Sequence, residues 1–89
     1  MASHTVLFSK TFKQELVKLS PIDQNRVLDK IEFLKSSPHH PSLRTKKLYG
    51  KPIRYESSVS MSIRLIWRYQ ENKIILMLDV GHHDVLRKY

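Results

Sequence analysis

Residues 53–80, IRYESSVSMSIRLIWRYQENKIILMLDV, decide the fold. Their first part alternates with period two: Ile53, Tyr55, Ser57 and Val59 fall on one side of an extended chain, and Arg54, Glu56 and Ser58 on the other. Residues 62–69 repeat the alternation, with Ile63, Leu65, Trp67 and Tyr69 sharing one face and Arg64, Ile66 and Arg68 the opposite one. A short polar turn, Gln70-Glu71-Asn72-Lys73, separates this run from residues 74–80, which are apolar on both faces, as a strand covered on both sides is. Three strands joined by turns too short for crossovers predict an antiparallel meander. One of its faces is apolar. The other presents Arg54, Glu56, Arg64, Arg68 and Asp79.

Working outward toward the N-terminus, Thr5-Val6-Leu7-Phe8 is a short β-prone run that stops at Ser9, whose hydroxyl suits a helix N-cap. Phe12, Leu16 and Leu19 then recur at i, i+4 and i+7, which predicts a helix over 10–19 with Lys10, Lys13 and Lys18 off the apolar face. Ser20-Pro21-Ile22-Asp23 combines a cap, a proline at the first helical position and an acid in the first turn. The second helix carries Val27, Leu28, Ile31 and Leu34 on one face and stops near residues 36–37, because Pro38 disfavours helix in the residue before it. Residues 38–52 hold three of the four prolines, the His39-His40 pair and four basic residues without periodicity, and read as an exposed loop. The expected architecture is α+β in the order β-α-α-β-β-β, a helical hairpin packed on a small, mainly antiparallel sheet, in one domain over 1–89 with a tail from Gly81 to Tyr89.

Eighty-nine residues and 10.6 kDa allow one modest core. The absence of cysteine excludes thiol catalysis, cysteine zinc sites and iron–sulfur ligation, and fits a reducing cytosol. MASHTVLFSK has no basic n-region ahead of an apolar stretch, and no run approaches the length of a membrane span, so a soluble cytoplasmic protein is expected. Sixteen Lys and Arg against eight Asp and Glu give a net charge of +8, which favours polyanionic partners, nucleic acid first. The charge is concentrated: Arg44, Lys46, Lys47, Lys51, Arg54, Arg64 and Arg68 stand against Glu56 alone between residues 41 and 68.

The charged sheet face has two readings, a solvated surface held by cross-strand charge pairs or a functional site. The tail favours the second. Gly81-His82-His83-Asp84 leaves the last strand and can bring a histidine to the rim of that face, where a neutral imidazole exchanges a proton near pH 7. Arginines that offset phosphate charge, beside a base that activates a ribose 2′-hydroxyl, suit RNA cleavage. Arg44, Lys46, Lys47 and Lys51 are either a solvated loop or phosphate contacts. Trp67 and Tyr69 beside Ile63 and Leu65 read as core, not as a base-stacking platform. Adjacent histidines point apart and no carboxylate pattern has metal spacing, so no metal site is expected. Asp79 and Asp84 either orient a histidine or cap a turn.

The order β-α-α-β-β-β, with Lys46-Lys47-Leu48-Tyr49-Gly50, Ser62-Ile63-Arg64-Leu65-Ile66-Trp67 and Asp79-Val80-Gly81-His82-His83-Asp84 before a final Tyr89, resembles the RelE/ParE toxin superfamily over nearly the whole chain. The resemblance implies the toxin of a type II toxin–antitoxin pair. In the RelE branch such proteins enter the ribosomal A site and cut messenger RNA there without a metal ion or other cofactor, the ribose 2′-hydroxyl attacking the scissile phosphate. By motif, Arg64 sits at the position of the phosphate-stabilising arginine. His83 matches a tail position that is an arginine in some members and an acid or base histidine in others, and is preferred to His82. Tyr89 matches a C-terminal tyrosine that stacks on or orients the nucleotide.

The chain departs from the members that have a lysine pair on the strand after the loop, since Glu56 and Ser58 stand at about those positions. Glu56 is then either the general base beside His83 or the partner of Arg54 or Arg64. Arg54, Arg68 and His82 join Arg44, Lys46, Lys47 and Lys51 as RNA-contact candidates. The resemblance also implies a cognate, acidic antitoxin that wraps the toxin and forms with it a hetero-oligomer on operator DNA. The ParE branch, which poisons DNA gyrase and needs no nuclease residues, and a degenerate toxin that keeps only antitoxin binding are the alternatives.

Overall fold

The computed structural model describes residues 3–88. Their order is β1 (Thr5–Phe8), α1 (Lys10–Leu16), α2 (Pro21–Ser36), a 3₁₀ turn at Pro41–Leu43, β2 (Lys46–Leu48), β3 (Arg54–Ser58), β4 (Ile63–Glu71), β5 (Ile74–His82) and a 3₁₀ segment at His83–Lys88. The strands form one sheet in the order β1-β5-β4-β3-β2. Strand β1 runs parallel to β5, and every other neighbouring pair is antiparallel. The expected α+β architecture and the β3-β4-β5 meander are present.

Both helices begin where the caps predict. Ser9 Oγ accepts from Phe12 N at 3.0 Å and also donates to Leu78 O at 3.0 Å, so one side chain starts α1 and pins it to β5. Ser20 Oγ accepts from Asp23 N at 3.2 Å, with Pro21 at the first position of α2. Helix α1 stops at Leu16, short of the predicted end at residue 19. Lys18 N bonds to Glu15 O and Leu19 N to Leu16 O, and these i to i−3 bonds tighten the chain into the turn before Ser20-Pro21.

The helical hairpin covers the face that carries Ile63, Leu65, Trp67 and Tyr69. Phe12, Val27, Ile31 and Leu34 from the helices meet Ile63, Leu65, Trp67, Ile75, Met77 and Val80 from β4 and β5 in one buried cluster. Fully burying a side chain of this size is worth about 1.5–3 kcal/mol, so this cluster holds the two layers together.

The predicted loop over 38–52 contains more structure than its composition suggests. Leu43 is buried in the core, Pro38 is buried, and Lys46–Leu48 adds an edge strand to β3 through the pairs Lys46↔Glu56, Lys47↔Tyr55 and Leu48↔Arg54. Three residues are too few to show a period, and only pairing with β3 makes them a strand. Arg44 ends the 3₁₀ turn in the left-handed region at φ 50°, and Gly50 takes φ 157° in the turn back to β3.

Candidate active site

The face turned away from the helices is ordered by strand register, because residues paired across strands point to the same side. One row crosses the sheet from Lys46 through Glu56 and Ile66 to Asp79. The next row places Arg64 between Ser58 on β3 and Gly81 on β5. Arg64 and Glu56 are therefore diagonal neighbours on one face, and His83 follows two residues after Gly81, where the chain leaves β5. Arg68 lies on this face opposite Leu76, and Arg54 opposite Leu48.

A bulge makes the Asp79 row possible. Ile66 pairs with Asp79 but Trp67 pairs with Met77, so Leu78 is an extra residue on β5. Strict alternation would put Met77 and Asp79 on one face. The extra residue lets Met77 and Val80 both enter the core while Asp79 turns to the arginine side.

Glu56 and Asp79 are not presented to solvent as the alternation predicts. Glu56 is only 4 % exposed and Asp79 is fully buried. Asp79 Oδ1 accepts from Val80 N at 2.9 Å, a local bond beside the bulge. Glu56 Oε2 is buried and has no hydrogen-bond partner among the described residues. Three i, i+3 ion pairs lie within or beside the helices, and none of them joins Glu56 to Arg64. A buried carboxylate oxygen without a donor is costly and sits ready to accept one.

Arg64 is half-buried and held from one side. Its Nη1 donates to Ser60 O at 2.6 Å and to Ile63 O at 3.1 Å. The other predicted cations sit nearer the surface: Arg44, Lys46, Lys47 and Lys51 are exposed, and Arg54 and Arg68 are half-buried. Lys47 Nζ lies 5.8 Å from the Tyr49 ring centroid, a weak cation–π contact.

The two histidines part company. His82 pairs with Ile63 and so shares the helix side of the sheet, lining a shallow pocket with Glu15, Lys18 and Asp84. His83 is exposed at the start of the 3₁₀ segment. Val85 packs against Gly81 where a Cβ would stand 3.4 Å from Val85 Cβ, so that segment folds back over the end of β5. Tyr89 lies outside the described residues. Trp67 is buried in the core, and Tyr55 and Tyr69 pack against it. Among the described residues no group of three His, Cys, Asp or Glu is placed to hold a metal ion, and no helix is long and apolar enough to cross a membrane.

Ser60, which the sequence pattern does not single out, holds Arg64 in place. Its carbonyl takes the Arg64 guanidinium, and its signal is a serine next to the polar turn that leads into the arginine strand.

No protein-family model and no curated protein matches the chain. Solved structures do. The RelBE2 toxin–antitoxin complex of Mycobacterium tuberculosis aligns at TM-score 0.74 and 26 % identity, over 91 % of this chain and 99 % of that one. This chain is a RelE-like toxin superfamily member. The RelE–RelB complex of Pyrococcus horikoshii aligns at TM-score 0.75 and 21 % identity over 92 % of this chain and 96 % of that one. A free-state mutant of Escherichia coli RelE aligns at TM-score 0.73 and 21 % identity, over 96 % and 88 %. These two alignments show the shared fold.

Proposed function

We propose that this RelE-like chain is the toxin of a type II toxin–antitoxin pair and a metal-independent endoribonuclease that cleaves messenger RNA on the ribosome. The observation that carries the reading is the shared register of Arg64 and Glu56 on one sheet face, with His83 starting two residues beyond Arg64's cross-strand neighbour Gly81. The toxin structures to which the chain is similar, among them the RelBE2 toxin–antitoxin complex, support the coarser part of it.

In this mechanism a base removes the ribose 2′-proton, and the 2′-oxygen attacks the adjacent phosphorus. The bond to the 5′-oxygen of the next nucleotide breaks, and an acid returns a proton to that leaving oxygen. Arg64 offsets the charge that develops on the phosphoryl oxygens. Glu56, buried with one oxygen free of hydrogen bonds, is the base, and the exposed imidazole of His83 is the acid. Tyr89 orients the nucleotide. The exposed cations Arg44, Lys46, Lys47 and Lys51, with Arg54 and Arg68, contact RNA phosphates and set position, not sequence, whereas His82, expected among them, lies on the helix side of the sheet and takes no part. An acidic antitoxin covers this basic face and forms with the toxin the operator-binding complex.

The test is to express the wild type and His83→Ala separately in cells and map messenger RNA 5′ ends with and without active translation. Translation-dependent cleavage that disappears in the variant is the expected result. Toxicity with intact messages and DNA damage assigns the chain to the gyrase poisons instead, and the absence of toxicity leaves antitoxin binding as its role.

A further inference from the structure

The contacts of Arg64 are one-sided. Nη1, the terminal nitrogen on the same side as Cδ, makes both hydrogen bonds that hold the guanidinium, to Ser60 O at 2.6 Å and to Ile63 O at 3.1 Å. Nε and Nη2 form the opposite edge and have no hydrogen-bond partner among the described residues. The two acceptors belong to one tied turn. Ser60 Oγ accepts from Ile63 N at 3.2 Å and from Ser62 N at 3.4 Å, and Val59 N donates to Ile63 O at 2.9 Å. Across the sheet, Arg64 faces Ser58 on one side and Gly81 on the other, so neither neighbour has a long side chain to fill the space beside the guanidinium.

We infer that residues 59–63 are a positioning device that grips Nη1 and so presents the Nε–Nη2 edge of Arg64 to a single phosphate as a two-donor fork. Ser60 is the positioning residue: its backbone oxygen takes the guanidinium and its hydroxyl fixes the turn from which that oxygen projects. Two parallel N–H donors fit two oxygens of one phosphate. A guanidinium free to rotate loses that match, and lysine, with one charge centre and no planar fork, does not reproduce it. The inference takes from the nuclease reading only that Arg64 meets an RNA phosphate.

The arginine Nε–H resonances of the ¹⁵N-labelled chain test it, with inorganic phosphate and a non-cleavable 2′-deoxy dinucleotide as probes. The Arg64 signal is assigned by its loss in Arg64→Lys. Phosphate is expected to shift it in the wild type, with affinity about tenfold weaker in Ser60→Ala and recovered in Ser60→Thr, whose hydroxyl can accept the same bonds. The backbone amide spectrum reports whether Ser60→Ala keeps the fold. Where RNA is cleaved, Ser60→Ala lowers the turnover rate more than it raises the substrate concentration required, because the charge stays and only its orientation is lost. An Nε–H signal indifferent to phosphate, or an equal response in wild type and Ser60→Ala, overturns the inference. A normal phosphate response in a chain that cuts no message upholds the fork and removes the nuclease reading.

Discussion

Trp67 and Ser57 meet on adjacent strands at the centre of the protein, where the fully buried indole Nε1–H donates to the equally buried Ser57 Oγ at 2.9 Å. The chain of bonds continues. Ser57 Oγ lies 2.7 Å from Thr45 Oγ1, and Thr45 Oγ1 donates to Pro38 O at 2.8 Å, so the serine hydroxyl is the donor to the threonine. Through these four groups the sheet holds both ends of the segment that carries His39, His40 and Arg44. The basic segment is thus anchored from inside by a polar network in which every hydroxyl has a donor and an acceptor.

Ser57→Ala leaves the buried indole N–H without an acceptor and frees Thr45. The expected loss is about 1–3 kcal/mol in urea unfolding. Trp67→Phe in the same background removes the orphaned donor, so the double variant should lose less than the two single losses added together.

Leu34 is fully buried between α2 and the sheet. Leu34→Ala should cost about 2–5 kcal/mol, because the cavity adds to the lost transfer energy. A loss well below that range, measured by denaturant melts, would mean that the helix collapses into the space.

Arg64→Ala should abolish measurable cleavage, by about 10²–10³-fold, while the melting temperature stays close to wild type. The side chain is half-buried and its partners are turn carbonyls that water can satisfy. A variant that unfolds instead makes Arg64 a structural residue.

Glu56→Gln separates a base from a structural acid. The amide keeps an acceptor and removes a buried charge whose Oε2 has no partner, so stability should hold or rise. Cleavage should fall by about 10²-fold. Unchanged cleavage would return Glu56 to a purely structural place.

Burial, and secondarily the neighbouring Tyr55, push the Tyr69 phenol above its ordinary value of 10.0. The folded chain therefore keeps this proton at pH values where the unfolded chain has released it. The stability that depends on the neutral phenol is complete below pH 10.0 and is lost as pH rises beyond it. Tyr69→Phe should unfold more easily at about neutral pH, having lost the 2.9 Å bond between Tyr69 Oη and His39 Nε2, but should show a shallower alkaline decline. Urea midpoints for both proteins at neutral pH and at roughly pH 11 compare the two slopes.

The meander, the helical hairpin and the shared face of Arg54, Glu56, Arg64 and Arg68 were all legible in the residues, because period two and period 3.6 are local properties of the chain. Strand β2 was not, since Lys46–Leu48 is extended only by virtue of its bonds to β3. Local pattern also misjudged exposure. An acid among arginines reads as solvated, yet Glu56 and Asp79 lie under neighbouring groups that only the folded sheet brings over them.

The sequence by itself determined which residue types line each face of β3 and β4, and with them the charge and the apolar layer that the helices cover. Only the tertiary structure decided the register between strands, which sets Arg64 opposite Gly81 and diagonal to Glu56, and the bulge at Leu78, which turns Asp79 away from the core. The physical reason is that a side chain's face follows from its own backbone, whereas its neighbours across the sheet depend on hydrogen bonds between segments far apart in the chain.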